Sequence, residues 1–196
     1  MSARGIVVAA ACVAAAFGLT LAAPGDEVIQ APFVRTIPAL DQQTATREIT
    51  VTVTDARLAD RVQTPEWTGA TNGVWLVVDL EFTRRISRGG LSGAFRIGDT
   101  HYRLSERADL ATLDNGASGQ PDLPWAGSVL VELPLSALED PGATHAVISF
   151  AGTSGPLGGG DLDGVLEYTL DLTSLDHEPS ITIAEPARVP PAQVVG

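Results

Sequence analysis

Glu48-Ile49-Thr50-Val51-Thr52-Val53-Thr54 alternates without a break. Ile49, Val51 and Val53 fall on one side of an extended chain and the threonines on the other, because successive strand side chains point to opposite faces. Val74 to Thr83 (VWLVVDLEFT) repeats the pattern, with Leu76, Val78, Leu80 and Phe82 opposite Asp79 and Glu81. The first half of this second stretch is apolar on both sides, which predicts a strand near the centre of a sheet. These two stretches decide the fold class. Nowhere in the folded region do apolar residues recur at three and four positions over a dozen residues, as a helical fold requires.

Working outward, Phe95-Arg96-Ile97 and Tyr102-Arg103-Leu104 flank Gly98-Asp99-Thr100-His101, a hairpin signal. Ser128 to Leu133 sets Val129, Val131 and Leu133 against Ser128 and Glu132. Ala146 to Phe150 and Val165 to Leu172 supply two more strands, and Ser180 to Ile183 closes the set. Only Ser136 to Asp140 and Asp109 to Leu113 read as helical, each about a turn long. Short strands separated by Gly, Pro and Asp clusters predict an all-β protein, an immunoglobulin-like antiparallel β-sandwich over 45–184.

Three stretches carry a family resemblance. Gly73-Val74-Trp75-Leu76-Val77-Val78-Asp79-Leu80-Glu81-Phe82 is an apolar strand that follows a glycine. Phe95-Arg96-Ile97-Gly98-Asp99-Thr100-His101-Tyr102 resembles a Phe-x-Leu-x-Asp-x-x-Gly-x-x-Tyr hairpin with a shortened loop. Gly127-Ser128-Val129-Leu130-Val131-Glu132-Leu133-Pro134 resembles a returning strand that ends in Val-Pro. Together, over roughly 47–150, they resemble the telokin-like, immunoglobulin-type domains of bacterial secreted and membrane-anchored proteins, a family of unknown function. Thr83-Arg84-Arg85 stands where that family commonly has Asn at the end of its second strand. The resemblance implies a sandwich outside the cytoplasm and transfers no catalytic residue.

Before the sandwich, Gly5 to Ala23 (GIVVAAACVAAAFGLTLAA) is uncharged and apolar. As a helix it spans about 28 Å, close to the hydrocarbon thickness of a bilayer. Arg4 precedes it and Asp26 and Glu27 follow, a polarity that keeps the N-terminus inside and sends the rest out. Residues 1–23 therefore read as an N-terminal apolar helix serving as a signal anchor or a signal peptide. Thr20-Leu21-Ala22 offers a cleavage site. The apolar run before Cys12 is shorter than a signal h-region, so this thiol reads as buried rather than lipid-bearing. The expected location is the cell membrane, single-pass with the C-terminal domain outside, or the secreted state if the signal is cut. Residues 24–44 hold three prolines and no sustained period, and read as a linker. Residues 185–196 read as a disordered tail.

Charge narrows the partners. The 196 residues carry 24 acidic and 12 basic side chains, a formal charge of -12. That balance excludes nucleic acid as the main partner, since phosphate backbones demand clustered cations. Every basic residue is Arg, which removes Schiff-base and Walker-lysine chemistry. A single cysteine excludes an intrachain disulfide and a cysteine zinc cage.

The candidate site residues fall into three groups. Arg84, Arg85 and Arg88 form the basic cluster, in TRRISRGG after a strand, and guanidinium groups bind carboxylate or phosphate. Trp67 and Trp125 lie in loops, placed either to plug the sandwich ends or to stack on sugars and partners. Asp161 and Asp163, in GGGDLDG, offer two hard oxygen ligands to calcium, short of a full EF-type loop. His101, His145 and His177 show no ligand spacing, and no Gly-x-Ser-x-Gly elbow occurs. No pair of acids stands out as a glycosidase pair. The leading expectation is a non-enzymatic interaction module binding another envelope protein, with membrane contact through residues 5–23 and no cofactor. The alternative is a ligand-binding module for envelope glycan or calcium.

Overall fold

The computed structural model describes residues 33–37, 39–153 and 164–190. The chain divides into Met1–Ala31 and Pro32–Gly196. The first unit, with the apolar helix and the signal expected over 1–23, lies outside the described residues. Among the described residues no helix is long and apolar enough to cross a membrane.

The second unit forms two sheets. Strands β1 (Phe33–Ile37), β5 (Gly90–Ile97), β6 (Thr100–Arg103), β8 (Ala146–Thr153) and β9 (Gly164–Leu170) make a five-stranded sheet in the order β1-β9-β8-β5-β6. The other sheet is seven-stranded. Its main path is β10 (His177–Glu178), β3 (Ile49–Gln63), β4 (Thr68–Arg84), β7 (Trp125–Leu133) and β12 (Ala187–Arg188). β2 (Thr44–Ala45) and β11 (Ile181–Thr182) also pair with β3. Most pairings are antiparallel; β1 on β9 and β10 and β11 on β3 are parallel.

One apolar cluster joins the two sheets face to face. Ile49, Val51, Val53, Leu76, Val78, Leu80, Phe82, Val129 and Val131 meet Phe95, Ile97, Ile148, Phe150, Leu166 and Tyr168. The molecule is thus a β-sandwich, as the alternation predicts. The Tyr168 hydroxyl donates to the Val51 carbonyl across the core at 2.7 Å. A register shift between Val53 and Asp55 keeps Ala56 and Leu58 on the inner face despite their odd offset from Val53.

β4 is central, and both of its faces are covered. On the outside, Trp75 and Val77 join Ala59, Val62, Leu130, Ile181 and Ile183 in a second cluster. The chain reaches this cluster by leaving β3 at β11, crossing the outer face, and pairing with β7 at β12.

Two boundaries move. Residues 24–44 are not all linker, because Phe33–Ile37 pairs with β9 from Phe33↔Gly164 to Ile37↔Tyr168. Pro32 and Pro38 bracket a run of strand formers, and proline is tolerated at strand ends while it breaks interiors. Nor do residues 185–190 form a free tail: Ala187 and Arg188 pair with Ala126 and Trp125, and Val189 donates to the Pro124 carbonyl at 3.0 Å. Ile181 and Ile183, both buried, hold the crossing segment in place. The helical expectations become 3-10 turns at Asp109–Ala111 and Leu135–Glu139 and one short α-helix, α1 (Leu113–Gly116). A third 3-10 turn, Pro141–His145, is capped by the Asp140 carboxylate, which accepts from the Gly142 amide at 2.7 Å.

Candidate functional site

The basic cluster is divided, with one arginine buried and two exposed. Arg84 closes β4 and points inward, 0% exposed. Its Nη2 lies 3.1 Å from the Glu48 carboxylate, itself 8% exposed, and 2.8 Å from Ser87 Oγ; its Nε donates to the Ser87 carbonyl at 3.0 Å. Gly152 makes room for it, since a Cβ there would collide with Arg84 Nη1 and touch Ile49 Cγ2. Gly119 does the same for the stem of Arg84 and the Phe82 ring. Arg84 is therefore a buried ionic tie at one end of the sandwich. Arg85 is exposed and donates to the Thr46 carbonyl at 2.5 Å, and Arg88 is exposed. Arg84, the last residue of β4, falls on the inner side with Leu80 and Phe82 by strand alternation, whereas Arg85 and Arg88 lie beyond the strand in the loop that follows.

Both loop tryptophans are engaged in packing. Trp67 meets Trp75 edge to face at 6.0 Å between ring centroids, with the Arg107 guanidinium 5.7 Å from its own centroid. A Cβ on Gly69 would run into the Trp67 ring. Arg107 also sits 5.1 Å from the Trp75 centroid and is held by Glu132 at 3.0 Å. Burial pushes the Glu132 carboxyl up, but hydrogen bonds from Thr71 and Arg107 and the Arg107 charge prevail and hold it below its usual range. Trp125 starts β7, packs on the core, and carries Arg188 over its ring at 5.6 Å. Asp161 and Asp163 lie outside the described residues. Among the described residues no three His, Cys, Asp or Glu side chains gather to hold a metal.

Sequence reasoning missed an ionic hub on the seven-stranded sheet. Arg57 reaches Asp55 at 2.8 Å, Asp79 at 2.5 Å and Glu178 at 3.5 Å, and Ser128 donates to Asp79 at 2.5 Å. The hub borders a cavity of about 400 Å³ beside the C-terminal crossing segment. Its Arg57 and Asp79 charges are spent on one another, so the hub fastens the sheet.

Two features of the five-stranded sheet differ from this. The first is its outer face. Ser92, Ala94, Arg96, Val147, Ser149, Ala151, Glu167 and Thr169 alternate with the core residues, and all remain accessible. The centre of that face is made of short side chains, with Ala94 opposite Ser149 and Ser92 opposite Ala151.

The second feature is a notch at the sheet's edge. There a cavity of about 350 Å³ is bordered by Leu91, Ser92 and Gly93 of β5 and by Arg103, Glu106 and Asp114. Asp114 lies in the first turn of α1, and its Oδ1 is buried with no hydrogen-bond donor among the described residues. Burial raises the Asp114 carboxyl above its usual range, and the nearby Glu106 charge adds to the rise against hydrogen bonding from Thr112. Nothing in the sequence marks this notch, because α1 follows the 3-10 turn by one residue and neither has a helical period.

A two-sheet sandwich with one sheet dressed outside and the other bare is the class these observations define. No protein-family model and no curated protein matches the chain. Among solved structures, it is similar to an uncharacterized β-sandwich protein from Clostridium difficile 630. That similarity has a TM-score of 0.46 at 10% identity, over 76% of this chain and 99% of that one. It is also similar to a candidate lipoprotein, ycdA, of Bacillus subtilis subsp. subtilis strain 168, with a TM-score of 0.47 at 11% identity. That match covers 69% of this chain and 40% of the other.

Proposed function

We propose that this chain is a non-enzymatic interaction module, an immunoglobulin-like sandwich of the telokin-like type held outside the cytoplasmic membrane to bind another envelope protein. The observation that supports the reading is the asymmetry of the two sheets. The seven-stranded sheet buries Trp75 and Val77 on its outer side beneath the 106–111 segment and the C-terminal crossing. The five-stranded sheet leaves its outer side accessible, with short side chains at the centre that let a partner approach the backbone closely. Gly5 to Ala23, with Arg4 before it and acids after it, supports the anchored, outward-facing arrangement.

An envelope glycan draws less support, while the calcium reading rests on Asp161 and Asp163, outside the described residues. The Trp67 ring already packs against Trp75 and Arg107 and the Trp125 ring against Arg188, so both are engaged in holding the fold.

Crosslinking of the full chain in intact membranes tests the proposal. A reproducible partner is expected, and Ala151→Arg at the centre of the bare face should remove it while membrane association persists. A partner set unchanged by that substitution, or no reproducible partner, refutes the reading.

A further inference from the structure

β5 has one edge paired with β8 from Gly90 to Arg96 and another that is only partly covered. On the second edge β6 pairs with Ala94 to Ile97 alone, from Ala94↔Arg103 to Ile97↔Thr100. The two-residue turn Gly98-Asp99, with Gly98 at φ +53°, makes Ile97 and Thr100 a hydrogen-bonded pair. Alternate residues then aim their N–H and C=O groups at this edge: Ile97, Phe95, Gly93, Leu91 and Gly89. Gly89 obeys the rule, exchanging both bonds with Gly119 at 2.9 and 3.2 Å. Leu91 and Gly93 share that orientation, but no described strand runs beside them. The reason is the path after β6. Leu104 crosses to bridge Val131 in the other sheet, and Ser105 donates to the Leu130 carbonyl at 2.7 Å. Two successive positions carry no described strand partner, Leu91, itself 3% exposed, and the half-buried Gly93, a window of about 14 Å closed at one end by Gly119 and at the other by β6.

That window is the 350 Å³ notch, and its chemistry is specific. An uncovered strand edge is a template for another extended chain. Glu106, Asp114 and the exposed Arg103 border it; the two carboxylates outnumber the one guanidinium, and Asp114 Oδ1 has no donor among the described residues, so a cation is the complementary group.

We propose that the notch is a β-augmentation socket for a short extended segment of a partner protein, which pairs with the backbone of Leu91 and Gly93 and presents a Lys or Arg to Glu106 and Asp114. The inference rests on the interaction-module reading and adds to the bare face a second contact, at the sheet edge, with the chemistry of its guest. Closure at both ends limits the guest to a few residues and blocks open-ended sheet growth.

The test is an NMR titration of the isotopically labelled full-length chain in detergent. The probe is the capped pentapeptide Thr-Val-Lys-Val-Thr. Two control peptides carry Glu in place of Lys, or N-methyl groups on the backbone amides. The Lys peptide is expected to shift the Leu91 and Gly93 amides saturably. Both controls, and the Glu106→Gln/Asp114→Asn variant, should raise Kd about tenfold or more. The N-methyl control needs no variant, so the test stands even if the double substitution impairs folding. No shift at Leu91 and Gly93 up to about 10 mM peptide overturns the socket, as does equal binding of the N-methylated peptide. A crosslinked partner that depends on Ala151 while these amides stay unmoved removes the socket and keeps the module. Loss of both removes the module.

Discussion

Replacing Arg84 with methionine is expected to be among the most damaging changes to a residue with no role in the core's apolar packing. The magnitude follows from the surroundings. Arg84 is fully buried and Glu48 nearly so, at 3.1 Å, and two more bonds run from the guanidinium to Ser87. Arg84→Met keeps the apolar stem but strands the Glu48 carboxylate, and removing one member of a buried pair costs about 3–5 kcal/mol. Arg47, mostly exposed, lies 3.5 Å from the other Glu48 oxygen and offers partial relief, which favours the lower end, about 3 kcal/mol. For a domain of this size that corresponds to a fall in Tm of roughly 6–12 °C.

Equilibrium urea unfolding measures the loss directly, with a lower midpoint and an unchanged slope. Two further variants isolate the cause. Glu48→Leu/Arg84→Met removes both charges and should recover most of the loss, because a buried pair is often no better than an apolar one. Gly152→Ala drives a methyl into Arg84 Nη1 and should be clearly destabilising in the native background, yet milder beside Arg84→Met. The reasoning fails if Arg84→Met costs less than about 1 kcal/mol, or if the double variant is no more stable than the single one.

Two other outcomes are expected. Burial pushes the Tyr168 phenol up to about 12 from an ordinary value near 10, so the unfolded chain ionises first. That contribution is full below pH 10 and lost as pH rises to 12, about 2.5 kcal/mol in all; Tyr168→Phe should flatten this alkaline decline, and parallel declines would refute it. Ile183 plugs the outer cluster at 2% exposure, so Ile183→Ala should cost about 2–4 kcal/mol in urea unfolding. A loss below about 0.5 kcal/mol would mean that the C-terminal crossing is not part of the cooperative fold.

The inner faces of the strands were legible in the chain because alternation is a local property. Ile49 to Val53 and Leu76 to Phe82 state which side is buried without reference to any neighbour. The same local reading stopped at Thr54, where a bulge restores the phase, and it took Phe33 to Ile37 for linker because the flanking prolines dominate the composition. Arg84 shows the limit most clearly. A basic residue after a strand looks like a loop cation. It is buried because Glu48, 36 positions away, neutralises it and because glycines at 119 and 152 vacate the space.

The notch is a still more distant consequence. It exists because Leu104 leaves one sheet for the other while Gly119 returns to cap β5, and neither choice is written in the residues beside the gap. Sequence alone determined that two-faced strands would pack into a sandwich and that an uncharged apolar stretch, Gly5 to Ala23, precedes them. Tertiary structure decided which charges are spent inside, which sheet face is left bare and where one strand edge stays open. Pattern is carried by neighbours in the chain, whereas pairing and burial depend on which distant groups fold back to meet them.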